Sequence, residues 1–157
     1  MAASKKKKQV KFASLPLEER QVRQAQDVES IWNKKPSWLF NRFDDSGNWS
    51  YLTDEFKNNF WNSIYPKLKS FETMKWCDIL QTSKKQNHSI PICELNNCAQ
   101  ERLVELKLYY DDIISLRLDG TTRIYGFLVE SSLLILWCDF HHGDNSTCVC
   151  RSNKKYT

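Results

Sequence analysis

Six residues in the last third of the chain carry the side chains that phosphodiester chemistry uses: Arg117, Arg123, Tyr125, Asp139, His141 and His142. A guanidinium is a planar fork of donors that matches phosphate oxygens and offsets charge as it develops. An imidazole moves a proton near neutral pH. A carboxylate in the same place can orient that imidazole or take the proton itself. Arg117, Arg123, Asp139, His141 and His142 are the expected catalytic residues, with Tyr125 as a substrate contact. A plainer reading uses the same residues: Arg123 and Asp139 as an ordinary cross-strand ion pair, and the two His as decoration on a loop.

Three strands must bring these groups together. Ile113–Leu118 alternates, with Ile114, Leu116 and Leu118 on one face and Ser115 and Arg117 on the other. Asp119-Gly120 follows, the dipeptide favoured where a two-residue hairpin turn needs positive φ at both centres. Such a turn sets Arg117 near Thr122 and puts Arg123 one step along the neighbouring strand. The next strands, Thr122–Val129 and Leu133–Asp139, are joined at Ser131-Ser132. Pairing them antiparallel returns Asp139, His141 and His142 toward Arg123. Apolar residues on both faces of this hairpin predict a central position with cover on both sides.

The cover comes from upstream. Leu17, Val22, Ala25, Val28 and Ile31 recur at three- and four-residue steps, which predicts a helix over 17–33, opened by Pro16 and ended by Lys34-Lys35-Pro36. A second helix over 54–70, capped by Thr53 or Asp54, carries Phe56, Phe60, Ile64 and Leu68 at four-residue spacing. Pro66 lies inside that run and should kink or shorten it. One or two helical turns over Thr73–Leu80 would point Trp76, Ile79 and Leu80 inward. A third helix over 97–108, capped by Asn96 or Asn97, presents Ala99, Leu103 and Leu106. Between these, 38–51 is broken by the turn cluster Asp44-Asp45-Ser46-Gly47-Asn48, and Ser89–Ile92 is short and extended. The expectation is an α+β domain over 15–145, with N-terminal helices packed on a C-terminal antiparallel sheet of three to four strands. A Lys-rich disordered start (1–14) and a flexible tail (146–157) flank it.

With 157 residues the chain can bury a core without staples. The formal net charge of +4 sits at the ends: Lys5, Lys6, Lys7, Lys8 and Lys11 at one, Arg151, Lys154 and Lys155 at the other. Without these eight, fifteen basic residues face nineteen acidic ones, so the body is mildly acidic. Lys5 to Lys8 therefore join Tyr125 as expected contacts to a polyanion, or serve simply as a solvated terminus. No apolar run approaches a membrane span, and the Lys-rich start lacks the apolar stretch of a secretory signal, so cytoplasmic residence and no membrane partner are expected. The six Cys then read as reduced thiols. Cys138, His141, His142, Cys148 and Cys150 lie close in sequence and have zinc-type donors, but their spacing fits no standard finger; buried Cys and loose tail thiols suit it better, and no metal is expected. Four Gly residues and no phosphate-cradling loop argue against a nucleotide cofactor.

The stretch Ala99-Gln-Glu-Arg-Leu-Val-Glu-Leu106, then Ser115-Leu-Arg-Leu-Asp-Gly-Thr-Thr-Arg-Ile-Tyr-Gly126, then Ile135-Leu-Trp-Cys-Asp-Phe-His-His142, resembles a group of small bacterial proteins. Their pattern is a helix with Arg-Leu-x-Glu-Leu, a strand with Arg, then Arg-Ile-x-Gly and Leu-Trp-x-Asp-x-x-His. That group is similar in layout to the RelE/HigB/ParE-type toxins, loosely over 52–142 and more closely over 99–142. The resemblance implies a RelE-like fold and a metal-independent endoribonuclease of a toxin–antitoxin or phage-defence type system, with RNA as substrate and a protein antitoxin as partner. Arg117, Arg123, Asp139 and His142 or His141 fall at the RNA-contacting or cleaving positions. The alternative is a non-enzymatic interaction module that holds a partner protein in defence or counter-defence.

Overall fold

A computed structural model describes residues 31–82, 85–144 and 147–150. The expected helix over 17–33 and Lys5 to Lys8 lie outside these residues, except that Ile31 and Trp32 are helical as that helix requires.

The chain folds as an α+β unit around one five-stranded mixed sheet in the order β1-β5-β4-β3-β2. The strands are β1 (Ser37–Leu39), β2 (His88–Pro91), β3 (Asp112–Arg117), β4 (Arg123–Val129) and β5 (Ser132–Asp139). β3, β4 and β5 form the expected meander, and β2 adds to β3 antiparallel. The expected sheet of three to four antiparallel strands is corrected by β1, which runs parallel to β5 with Trp38 opposite Leu133. Three residues are too few to show an alternation in sequence, and the Ser37 and Ser132 hydroxyls that meet at 2.6 Å are 95 residues apart.

Both faces of the sheet are covered. On one side Ile114, Leu116, Ile124, Leu133, Ile135 and Cys138 pack under Phe56, Ile64, Leu68, Phe71, Trp76 and Ile79. Those helical residues come from α1 (Asp54–Asn59), a wider π segment (Phe60–Ile64), α2 (Tyr65–Phe71) and the turns that follow. Thr53 caps α1, its hydroxyl accepting the Phe56 N–H at 3.2 Å. The π segment resolves the conflict at Pro66. The chain goes through a five-residue step, with the Tyr65 N–H reaching Phe60 O, and Pro66 then sits in the first turn of α2, where a missing N–H costs nothing.

On the other face Ile113, Tyr125, Phe127, Leu136 and Trp137 pack under Ala99 and Leu103 of α3 (Asn97–Glu105) and under Val149. α3 stops short of 108 because Leu106 closes it and Lys107 takes a left-handed φ of 60°. Val149, expected in the flexible tail, belongs to this core, and Cys150 packs against it. Cys148 and Val149 are buried, and Leu95 bridges to Cys150. β5 carries a bulge at Leu136, opposite Tyr125/Gly126, and a Cβ on Gly126 would collide with the Leu134 carbonyl. Among the described residues no helix is long and apolar enough to cross a membrane.

Candidate functional site

The expected two-residue turn at Asp119-Gly120 is not the one formed. Arg117 pairs with Arg123 rather than lying near Thr122, and Gly120 keeps a φ outside the left-handed region. The Asp119 side chain supplies the reason: its Oδ1 accepts the N–H groups of Thr121 and Thr122 at 3.0 and 2.9 Å, a local turn that competes with the tight hairpin. Leu118 N–H to Thr122 O closes the wider loop at 2.9 Å. Burial pulls the Asp119 carboxyl upward, but these N–H donors and the nearby Arg123 charge outweigh it and hold it below its ordinary value.

This register sets Arg117, Arg123 and Asp139 side by side on three adjacent strands. The His-bearing exit loop is tied to the same end, since the His142 N–H donates to Thr121 O at 3.0 Å. The sheet thus brings the backbone of the expected residues to one end, yet gives their side chains different faces and different employment. Arg117 is exposed, its Nε donating to Asp119 O at 3.2 Å. Arg123 is buried, and its Nη1 donates to the carbonyls of Asp119, Gly120 and Thr122 at 2.9, 3.3 and 3.2 Å. Burial lowers its pKa, with the Arg117 charge acting in the same direction and nearby Tyr125, Cys150 and Asp139 against it. Asp139 is 1% exposed. Its Oδ1 accepts His141 N–H at 2.8 Å and its Oδ2 accepts Val149 N–H at 2.9 Å, so the carboxylate ties both ends of the exit loop.

Tyr125, expected to touch substrate, is fully buried, and its hydroxyl lies 3.2 Å from Cys150 Sγ. Burial and that thiol push the phenol well above its usual range. The two His part company. His141 Nε2 lies 2.9 Å from Glu55 Oε1, with side chains 54% and 45% exposed, on the side of the sheet covered by α1. His142 turns its Nδ1 to Cys148 Sγ at 3.7 Å, beside Asp139. Of the zinc-type donors in this region, Cys138 and His141 are separated from the rest, Cys138 facing the core under α1 and α2 and His141 turned to Glu55.

The neighbouring Cys148 side chain draws the Cys150 thiol down to about 7, against burial and with help from the Tyr125 hydroxyl. Cys150 and burial in turn raise Cys148, while His142 and the Gly143 N–H at 3.4 Å act in the lowering direction.

Two features had no signal in the sequence. Glu55 is 86 residues from the His it meets. Asp44, in what reads as a plain turn cluster, is gripped by Arg102 through Nη2 at 2.6 Å and Nε at 2.8 Å, and Trp137 Nε1–H donates to it at 2.9 Å. No protein-family model matches the chain, no curated protein matches it, and no solved structure matches it.

Proposed function

We propose that the protein acts on RNA in the manner of a toxin-like, RelE-like endoribonuclease, within a toxin–antitoxin or phage-defence type system that includes a protein antitoxin. The observation that supports this reading is the row Arg117–Arg123–Asp139 across three strands, with the His loop tied to its end. The roles divide by exposure. Arg117 is the exposed guanidinium and contacts phosphate. His141, paired with Glu55 on the α1 side of the sheet, lies on the opposite face from Arg117 and serves as a second RNA contact rather than as the base beside that guanidinium. Arg123 and Asp139 hold the turn and the exit loop that present these two. The test is growth inhibition on expression, together with cleavage of total RNA by the purified chain. Arg117→Ala and His141→Gln should each abolish both while leaving the unfolding midpoint unchanged. An inert wild-type chain removes the reading.

A second reading, a non-enzymatic interaction module, is favoured by a ladder of touching rings. Phe43 meets Phe56 at 5.1 Å, Phe56 meets Phe60 at 5.4 Å, and Phe60 meets Trp61 at 4.9 Å, where the ladder ends in an indole 70% exposed. Phe40, Tyr51 and Tyr65 are exposed along it. Large exposed aromatic rings are the side chains that anchor protein interfaces. A stoichiometric protein complex that survives replacement of both Arg117 and Arg123 but not Trp61→Ser would favour this reading over the first.

A further inference from the structure

We propose that Asp139, His142, Cys148 and Cys150 form a tetrahedral zinc site that locks residues 139–144 and 147–150 onto the sheet. The inference does not depend on the RNA-acting reading. A carboxylate oxygen of Asp139, a ring nitrogen of His142 and the Cys148 sulfur all lie within 4.8 Å of one another. Zinc bound by one thiolate and one imidazole at ordinary bond lengths holds those two ligand atoms about 3.6 Å apart in a tetrahedron. His142 Nδ1 and Cys148 Sγ stand at 3.7 Å, the length of such an edge. Cys150, two residues along the same segment and partly buried, stands outside that trio and completes the tetrahedron by a side-chain rotation.

Donor chemistry selects the metal. Two thiolates, an imidazole and one carboxylate suit zinc and are too soft for magnesium or calcium. Zinc takes Cys148 and Cys150 as thiolates, releasing their protons to solvent, with Asp139 bound as the carboxylate and His142 as the neutral imidazole. Each Asp139 oxygen accepts one backbone N–H and so retains a lone pair for metal. Three anionic ligands leave the dication with one excess negative charge, and Arg123 is the neighbouring cation.

Neighbouring groups hydrogen-bond to the ligands and orient them, as such partners do around bound metals. The Gly143 N–H points at Cys148 Sγ at 3.4 Å, and the Tyr125 hydroxyl reaches Cys150 Sγ at 3.2 Å. Backbone placement is already made: His142 is tied to Thr121, and Val149 is buried and tied to Asp139. The sequence alone hides the site because Cys138 and His141, the most regular members of the Cys/His run, point away from it, and Asp139 replaces them.

The full chain, purified under reducing conditions without chelator, should contain about one zinc per molecule by elemental analysis. Exchange with cobalt(II) should give the intense visible bands of a tetrahedral site and thiolate charge transfer. Cys148→Ser, Cys150→Ser and His142→Ala should each lose the metal and the cobalt bands, whereas Cys93→Ser and Cys98→Ser, at exposed positions, should retain both. Tyr125→Phe should weaken zinc binding about tenfold while preserving the coordination spectrum. Two results overturn the proposal: a wild-type chain that takes up neither zinc nor cobalt, or metal retained undiminished in Cys150→Ser and His142→Ala. Cys150 is partly exposed, so its Ser variant keeps the question answerable if Cys148→Ser fails to fold.

Discussion

Arg102 holds Asp44 through two of its nitrogens across 58 residues of sequence, and the carboxylate it grips is also the acceptor for the Trp137 indole. Ser46 joins from both sides, its N–H donating to Asp44 at 3.2 Å and its hydroxyl accepting from Arg102 at 2.7 Å. One buried carboxylate therefore fastens the loop after β1, the helix α3 and the inner strand β5. Asp44→Ala should cost about 3 kcal/mol, the low end for breaking a buried pair, since Arg102 keeps partial access to water. Urea unfolding followed by tryptophan fluorescence checks it. A loss below about 1 kcal/mol would mean water replaces the carboxylate readily.

The same carboxylate sets an acid limit. Burial works to raise the Asp44 pKa, but the bonds from Arg102, Trp137 and Ser46 outweigh it and hold it below the ordinary 3.8. A carboxyl that is a stronger acid when folded contributes its full stability above the unfolded value. That contribution fades as pH drops from about 4 through the lower folded value. The stability gap between wild type and Asp44→Asn should therefore be constant from neutrality to about pH 5 and close below pH 4. Denaturant titrations across that range read it directly.

Gly126 has no room for a side chain, because the bulge brings it against the Leu134 backbone. Gly126→Ala should destabilise by about 1–3 kcal/mol, an overpacking cost that falls on backbone and cannot be relieved by a rotamer change. Thermal unfolding measures it. An unchanged midpoint would show that the two strands separate easily at the bulge.

Arg117 and Arg123 are partners in register but should behave oppositely on substitution. Arg123→Ala strips three carbonyls of the β3–β4 turn of their charged donor and should cost about 1.5–3 kcal/mol. Arg117→Ala should leave stability unchanged. Loss of activity in the Arg123 variant is thus uninformative unless its fold is measured alongside.

Trp61 lies on the π segment with most of its surface in water. Trp61→Ser should leave the unfolding midpoint within about 0.5 kcal/mol of wild type while removing any partner that docks on the aromatic ladder. A large stability loss would instead assign the indole a packing role.

The meander was readable because β3 to β5 are dense in Ile, Leu, Val and aromatic residues, with polar punctuation between them. Its first turn was not, since the Asp119 side chain chooses a different closure from the one the Asp-Gly pair suggests. The helix over 54–70 was visible in Phe56, Ile64 and Leu68, but a π segment leaves no periodic mark. Cys148 and Val149 sit among polar neighbours in a stretch that reads as tail, and a single Val gives no period. Arg117, Arg123 and Asp139 were placed on the correct strands. Pattern could not show that two of the three are buried and bound to backbone.

β1 is an edge strand made early in the chain whose sole neighbour in the sheet, β5, is made late. During synthesis Trp38 must therefore wait, unpaired, until the final hairpin has left the ribosome. Contacts of such long range slow folding, and a nascent chain halted before Ser132 has a sheet with no place for its first strand.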